Sequence, residues 1–313
     1  MIGRLASFRI HDDRGRVVLR DGLIFCFFMR RSHGEIAAGV WRALQAYRRA
    51  IPSDALAWYV KPDGEWDPLE EEGWEFVREE ILETPWPTGS EVRLQESPVE
   101  VCAYSMEYSG KWLDAPAWKG DGEAVSAVAF TLPTEYLQTH GPGQVRALAL
   151  EMAAELPLSF GYVSLSFISP GGLRNPARKA LQELCSRYPG LDVYNLRPTA
   201  RSIGTRARGA YWHTFLGQPL LGQLGGMESL RERLSSSISL ETLDGERLCL
   251  CLGEWPLLGD EQPDDETEPY RALARVLEPH LYEERHPWLI DEVFERRWLR
   301  RFLRSGEKSR EVL

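Results

Sequence analysis

The segment DGLIFCFFMRRSHGEIAAGVWRALQAYRRA, residues 21–50, places an apolar run directly before an amphipathic pattern. Ser32 and Glu35 are three positions apart, which is the spacing of a capping box at a helix start. Apolar residues then recur every three or four positions from Ile36 to Tyr47, as one buried helical stripe requires. The segment therefore predicts a buried extended element followed by a capped helix.

The same segment contains Ser32, His33 and Glu35 within four residues, which raises the alternative of a catalytic set. A nucleophile, a base and an orienting group must converge in space. Adjacent residues on the first turn of a helix point in different directions, so they do not converge. The helix start is the favoured interpretation of the three residues.

The composition bounds the class of protein. The chain has 313 residues, of which 43% are hydrophobic and 27% charged, and this is typical of a soluble globular protein. The length allows one large domain or two compact lobes. The formal net charge of −10 argues against general nucleic-acid binding by the whole surface and favours a partner that is itself basic.

The first residues, the longest apolar run and the cysteines indicate the cellular compartment. The first residues, MIGRLASFRIHDD, carry early charges and no apolar core, and the longest apolar run (22–29) is far below the ~20 residues that span a bilayer. We therefore expect a cytoplasmic protein without a membrane partner. The five cysteines are scattered without a C-x-x-C spacing, so we expect buried free thiols, no disulfide framework and no metal site. We also expect no cofactor.

Strand-like and helix-like patterns mix without strict alternation, which predicts an α+β fold with mixed or antiparallel sheets and flanking helices. Asp21-Gly22 and Asp244-Gly245 are each predicted to turn a hairpin. Residues 111–124, KWLDAPAWKGDGEA, are rich in Gly, Pro and Asp and mark a boundary between two lobes packed together. The predicted division is an N-terminal lobe over 1–118, a C-terminal lobe over 122–304 and a tail over 305–313.

One glycine-rich stretch has the spacing of a phosphate loop. Gly217 and Gly222 match G-x-x-x-x-G, but Gln223 and Leu224 follow where Lys and Ser or Thr must contact phosphate and magnesium. The nucleotide-loop interpretation fails, and the glycines are better explained by tight turns and close backbone packing. The motifs G-x-S-x-G and H-E-x-x-H do not occur.

An arginine-rich stretch, residues 197–212, has two interpretations. Arg201, Arg206 and Arg208 are candidates for phosphate binding. The alternative function is an enzyme that acts on a phosphorylated substrate through the Arg197–Arg208 cluster with His213. The second interpretation pairs these arginines with some of the 47 carboxylates of the chain, and we favour it.

Two acidic runs are candidate partner-binding surfaces. One lies at the start of the second predicted helix and the other in a loop near the C-terminus. Each is either a solvated face or a surface that imitates phosphates toward a basic protein partner. The candidate partner-binding residues are Glu70, Glu71, Glu72, Asp260, Asp264, Asp265, Glu266 and Glu268.

Four long segments carry a resemblance to a known family. They are RDGLIFCFFMRRSHGEIAAGVWRALQAY, AVSAVAFTLPTEYLQTHGPGQVRALALEMAAELP, IGTRARGAYWHTFLGQPLLGQLGG and ALARVLEPHLYEE. They closely resemble segments of a proteobacterial family linked with type VI secretion immunity proteins. Members of that family occur beside antibacterial effectors, including VRR-Nuc and other restriction-endonuclease-like nucleases. The resemblance extends in order from about Phe8 to Leu303.

The resemblance implies a function that the composition does not. It implies a non-enzymatic immunity protein that binds a cognate effector toxin, a nuclease, and neutralises it. Neutralisation would occlude the active cleft of the toxin or block its assembly, and the protein would not contact nucleic acid directly. The oligomeric state stays open.

Overall fold

The computed structural model describes residues 7–83, 87–169, 177–259, 264–283 and 292–303, apart from the side chains of 177–179 and 264. The predicted tail lies outside these residues. The described strands are β1 Arg9–His11, β2 Val17–Met29, β3 Trp58–Val60, β4 Trp66–Pro68, β5 Gly89–Gln95, β6 Ser105–Lys111, β7 Ser126–Leu132, β8 Phe160–Ile168, β9 Asp192–Val193, β10 His213–Leu216, β11 Ser239–Asp244 and β12 Arg247–Cys251.

The described helices connect these strands. They are α1 His33–Ala50, α2 Glu71–Leu82, α3 Thr134–Ala154, α4 Ala177–Arg187, α5 Leu196–Ser202, α6 Leu220–Gln223, α7 Gly226–Arg233, α8 Asp264–Leu277 and α9 Glu292–Leu299. Two short 3-10 turns follow α8 and α9, at Glu278–His280 and Arg301–Leu303.

All twelve described strands belong to one sheet. Its order is β11-β12-β10-β8-β2-β7-β6-β5-β3-β4, with β1 also paired to β2 and β9 to β8. Every described pairing is antiparallel except that of β8 with β9. The predicted α+β class with mixed or antiparallel sheets is confirmed. The lobe boundary at 118–122 stays a prediction, and strands from both sides of it join this sheet.

The predicted hairpin at Asp21-Gly22 is wrong, because β2 runs through both residues as one strand. A side chain on Gly22 would place its Cβ 2.9 Å from Ile168 Cγ1 and 2.9 Å from the Leu132 carbonyl oxygen. The Asp21 carboxylate accepts the Phe8 N–H at 2.7 Å. The pair therefore lets neighbouring segments approach β2 closely, and the chain does not turn there. The second predicted hairpin, at Asp244-Gly245, is confirmed by β11 and β12.

The capped helix is confirmed as α1. Ser32 and Glu35 form the capping box, in which the Glu35 carboxylate accepts the Ser32 N–H at 2.8 Å. The buried stripe of α1 faces the sheet, where the Tyr47 hydroxyl donates to the Thr131 carbonyl oxygen of β7 at 2.5 Å. α1 also packs against α2 and α3, so these three helices form one layer on one face of the sheet.

Two further sequence interpretations hold. A Cβ on Gly217 would lie 1.8 Å from the Leu158 carbonyl oxygen, which is the close backbone packing expected there. The five cysteines are free thiols, of which Cys251 is half-buried and the others are buried. Burial raises the pKa of the Cys102 thiol, which disfavours the reactive thiolate.

Candidate functional site: an open face of the sheet

The burial of β5 alternates, whereas that of β8 does not. Val92 and Leu94 are buried. Glu91, which precedes Val92, and Arg93, which lies between the two buried residues, are exposed. All nine residues of β8 are buried. Since successive side chains of a strand point to opposite faces, β8 is covered on both faces and β5 on only one.

The register of the strands assembles the uncovered side chains into one surface. Trp58 lies opposite Gln95, Val60 opposite Trp66 and Arg93 opposite Glu107. Directly opposed residues point to the same face of a sheet. We call this surface the open sheet face, formed by Trp58, Val60, Trp66, Glu91, Arg93, Gln95, Ser105 and Glu107.

The other face of the same strands is core. Tyr59, Leu94 and Met106 are buried there, and the Tyr59 ring packs against Phe76 of α2 with ring centroids 5.3 Å apart. By contrast, Trp58, Val60 and Trp66 are half-buried and do not belong to the hydrophobic core. These three apolar side chains therefore contribute little to the interior of the fold.

A cleft of about 280 Å³ opens on this face between β4, β5 and the segment before β6. Its lining includes Trp66, Arg93, Tyr194 and Val99, whose side chain is 67% exposed. Tryptophan, tyrosine and arginine are the side chains most enriched among binding hot spots in protein interfaces.

The border between the open and covered parts of the sheet lies at β6. Helix α5 packs against β6 and β7, and its Arg197 forms an ion pair with Glu91 of β5. Glu107 lies at this border, and burial raises the pKa of its carboxyl group. Beyond the border the same row of β6 continues to Lys111, which is buried.

Negative charge is concentrated at this end of the sheet. Residues 54–107 contain fifteen Asp and Glu against three Lys and Arg, a net charge of −12. The whole chain has a net charge of −10, so the remaining residues together carry +2. Residues 54–107 form β3, β4, α2, β5 and the first part of β6. The open sheet face therefore lies in the most acidic part of the molecule.

The structure separates the two predicted acidic runs. Glu70, Glu71 and Glu72 are exposed around the start of α2, at the acidic end of the sheet. The described part of the second run belongs to α8, which packs near the opposite edge, since the Tyr270 hydroxyl accepts the Leu257 N–H at 3.1 Å just after β12. Seven strands of the sheet order lie between β4 and β12.

Within the second run, Asp265 and Glu268 are exposed and Glu266 is half-buried. Glu268 forms an ion pair with Arg275 at 3.0 Å. Asp260 lies outside the described residues. Asp264 begins α8, but its side chain also lies outside the described part of the chain.

The candidate phosphate-binding arginines do not converge. Arg208 is buried, and its Nη1 contacts both carboxylate oxygens of Asp192, at 2.6 and 2.7 Å. Arg206 forms an ion pair with Glu123 at 2.9 Å, and Arg201 is exposed near the end of α5. The arrangement favours the ion-pairing interpretation for Arg206 and Arg208.

The hydroxyl groups of two tyrosines contact the buried Arg208–Asp192 ion pair. The Tyr162 hydroxyl donates to Asp192 at 2.7 Å, and Arg208 lies 2.6 Å from the Tyr211 hydroxyl. The two tyrosine rings stack with centroids 3.9 Å apart. A buried charge is tolerated when it is paired and hydrogen-bonded, so loss of one partner of this group would leave the other charge buried without compensation.

His213, the partner of these arginines in the enzyme alternative, lies on the other face of the sheet. Its neighbour across β8 is Val163, whereas Tyr162, which contacts Arg208, points the opposite way. His213 is 1% exposed, and within the described residues neither ring nitrogen has a hydrogen-bond partner. Burial lowers the pKa of His213 to about 3, so the ring is neutral at pH 7.

Sequence reasoning missed the open sheet face. Its signal was present in GSEVRLQ, residues 89–95, where charged and apolar residues alternate. The alternation indicates one exposed face, but only the strand register brings Trp58 and Trp66 to it.

Among the described residues, no group of three or more His, Cys, Asp or Glu is placed to hold a metal ion. No described helix is both long and apolar enough to cross a membrane.

Comparison with known proteins gives a family match and a similar solved structure. The model of the family TsiV, described as type VI immunity for VRR-NUC, matches residues 39–302. No curated protein matches the chain. The solved structure of the Pseudomonas aeruginosa T6SS protein PA0821 is similar, with a TM-score of 0.76 and 19% identity over 94% of this chain and 87% of that chain. At 19% identity, this similarity shows that the two chains share a fold and nothing more.

Proposed function

This chain belongs to the TsiV family of type VI immunity proteins, and we propose that it protects its cell by binding a VRR-Nuc effector and holding it inactive. The family match over residues 39–302 is the observation that carries the proposal. The net charge of −10 supports it, because a nuclease must present a basic cleft to hold phosphates. The two proteins would meet in the cytoplasm, where the nucleic acid of the cell lies.

Two mechanisms of neutralisation are compatible with binding. In the first, the immunity protein occludes the nucleic-acid cleft of the effector, and its negative charge increases both association rate and specificity. In the second, it blocks assembly of the toxin and leaves the cleft open. We favour occlusion, because residues 54–107 concentrate a net charge of −12 at one end of the sheet.

Co-expression with the effector encoded in the adjacent gene tests the proposal. Survival of the host and co-purification of the two proteins are scored together, with a catalytically inactive effector as the control for toxicity. We expect survival and a stable stoichiometric complex. Survival without a complex would contradict neutralisation by binding and would favour an enzyme that prevents or reverses the damage. Death of the host would contradict immunity against that effector.

A further inference from the structure

We propose that the open sheet face is the surface that receives the effector, and that its occupant is the basic nucleic-acid-binding surface of the nuclease. The inference rests on the proposed function and adds to it the location and chemistry of the interface.

The apolar side chains of this face lack a role inside the chain. Trp58, Val60 and Trp66 are half-buried on strands whose opposite face supplies the core. Val99, beside them in the cleft, is 67% exposed. Grouped apolar side chains that stay partly exposed in a soluble fold mark a binding surface, and tryptophan is one of the residue types enriched among binding hot spots.

The surrounding charges specify the partner. Residues 54–107 carry a net charge of −12, and Glu70, Glu71 and Glu72 are exposed at the same end of the sheet. A surface that binds DNA is rich in lysine and arginine, so it is complementary to this end of the molecule. Arg93 is exposed on β5, where it offers a cation to a carboxylate of the partner.

This arrangement combines two energetic contributions. The apolar centre lowers the dissociation rate by burying tryptophan surface, and the acidic surroundings raise the association rate by steering. Occupation of the effector's phosphate-binding surface would also exclude nucleic acid from it. The acidic run on α8 lies near the opposite edge of the sheet, so one compact domain of the effector does not need to contact both.

Three double variants test the location of the interface. Trp58→Ala with Trp66→Ala removes the apolar centre. Glu71→Lys with Glu72→Lys reverses charge at the same end of the sheet, at the start of α2 in the helical layer behind this face. Asp265→Lys with Glu268→Lys on α8 is the matched control, because it reverses two exposed acids on the other run. Each full-length variant is first compared with wild type by circular dichroism and thermal unfolding, to establish that it folds.

Association and dissociation rates with the purified, catalytically inactive effector are then measured at two salt concentrations. We expect the tryptophan variant to raise Kd at least ~30-fold, mainly through the dissociation rate. We expect the Glu71 and Glu72 variant to slow association about tenfold and to flatten its salt dependence. The α8 variant should bind within about twofold of wild type.

The outcomes separate the two proposals. Failure of wild type to bind the effector or to protect the host would contradict the proposed function itself. Wild-type binding with unchanged affinity in the folded tryptophan variant, or loss of affinity in the α8 variant alone, would overturn the open sheet face as the interface. If the tryptophan variant does not fold, Val99→Lys with Glu100→Lys replaces it, because both side chains are exposed in the cleft and the added positive charge should repel a basic partner, so the same loss of affinity is expected.

Discussion

Strands β8 and β5 belong to the same sheet but have different surroundings. β8 lies between layers on both faces, and even its serines, Ser164 and Ser166, are buried and bonded to backbone carbonyl oxygens. β5 has a helical layer on one face only, and every second side chain reaches solvent. The difference teaches that the covered half of the sheet holds the fold together, while the open half presents side chains that the fold does not need.

The largest expected effect tests the covered half. Arg208→Ala leaves the Asp192 carboxylate buried without its cation, which should lower the free energy of unfolding by about 3–5 kcal/mol. Arg201→Ala, an exposed arginine of the same stretch, should change it by less than about 0.5 kcal/mol. Urea unfolding measures both. Equal, small effects would contradict a structural role for the Arg208–Asp192 pair.

The next effect compares the two faces of one strand. Leu94→Ala empties a buried position of β5 and should cost about 2–5 kcal/mol. Arg93→Ala, its exposed neighbour, should cost less than about 0.5 kcal/mol of unfolding free energy. The same urea experiment distinguishes them. A large cost at Arg93 would mean that the open sheet face is part of the core after all.

Lys111 lies at the buried end of β6, on the same face of that strand as Ser105 and Glu107, and it provides a test of how burial changes a titratable group. Lys111 is 4% exposed as a whole residue. Its Nζ donates to the Val125 carbonyl oxygen at 2.6 Å and lies 5.5 Å from the Trp118 ring centroid. Burial lowers the pKa of Lys111 from 10.5 to about 7. Between these two values the unfolded chain binds a proton that the folded chain does not, so unfolding free energy rises with pH.

Lys111→Met removes that titration. The unfolding free energy of wild type minus that of the variant should rise by up to about 1.4 kcal/mol per pH unit between pH 7.5 and pH 10. Below pH 7 the difference should be constant. Urea unfolding across this range provides the measurement, and parallel curves for the two proteins would show that Lys111 keeps its ordinary pKa in the fold.

The smallest effect tests the helix start. Ser32→Ala removes the capping side chain of α1, whose hydroxyl also accepts the Leu113 N–H at 3.2 Å. We expect a loss of about 1 kcal/mol of unfolding free energy and no loss of effector binding. A folded variant that fails to protect the host would instead show that Ser32 is needed for function.

Local sequence patterns predicted the structural features that depend on residues close together in the chain. The capping box of α1, the hairpin of β11 and β12 and the close packing of Gly217 all follow from interactions within a few residues or from glycine chemistry. Asp21-Gly22 was misread, because a dipeptide typical of turns is used here for close approach between strands. Only the tertiary structure reveals that use.

The candidate site was harder to predict because it depends on register. Trp58, Arg93 and Glu107 come from three different strands, and strand pairing places them on one face. The acidic residues Glu70 to Glu72 were visible as a run. Their relation to an exposed apolar surface, and the separation of the α8 run from it, required the order of strands.

Hydroxyl-radical footprinting of the complex tests the central claim most directly. Tryptophan side chains are oxidised in proportion to their exposure, so free protein should react at Trp58, Trp66 and Trp255, which is 38% exposed. On binding the inactive effector, we expect oxidation of Trp58 and Trp66 to fall sharply while that of Trp255 is unchanged. Continued oxidation of Trp58 and Trp66 in a saturated complex would contradict the open sheet face as the surface through which this immunity protein acts.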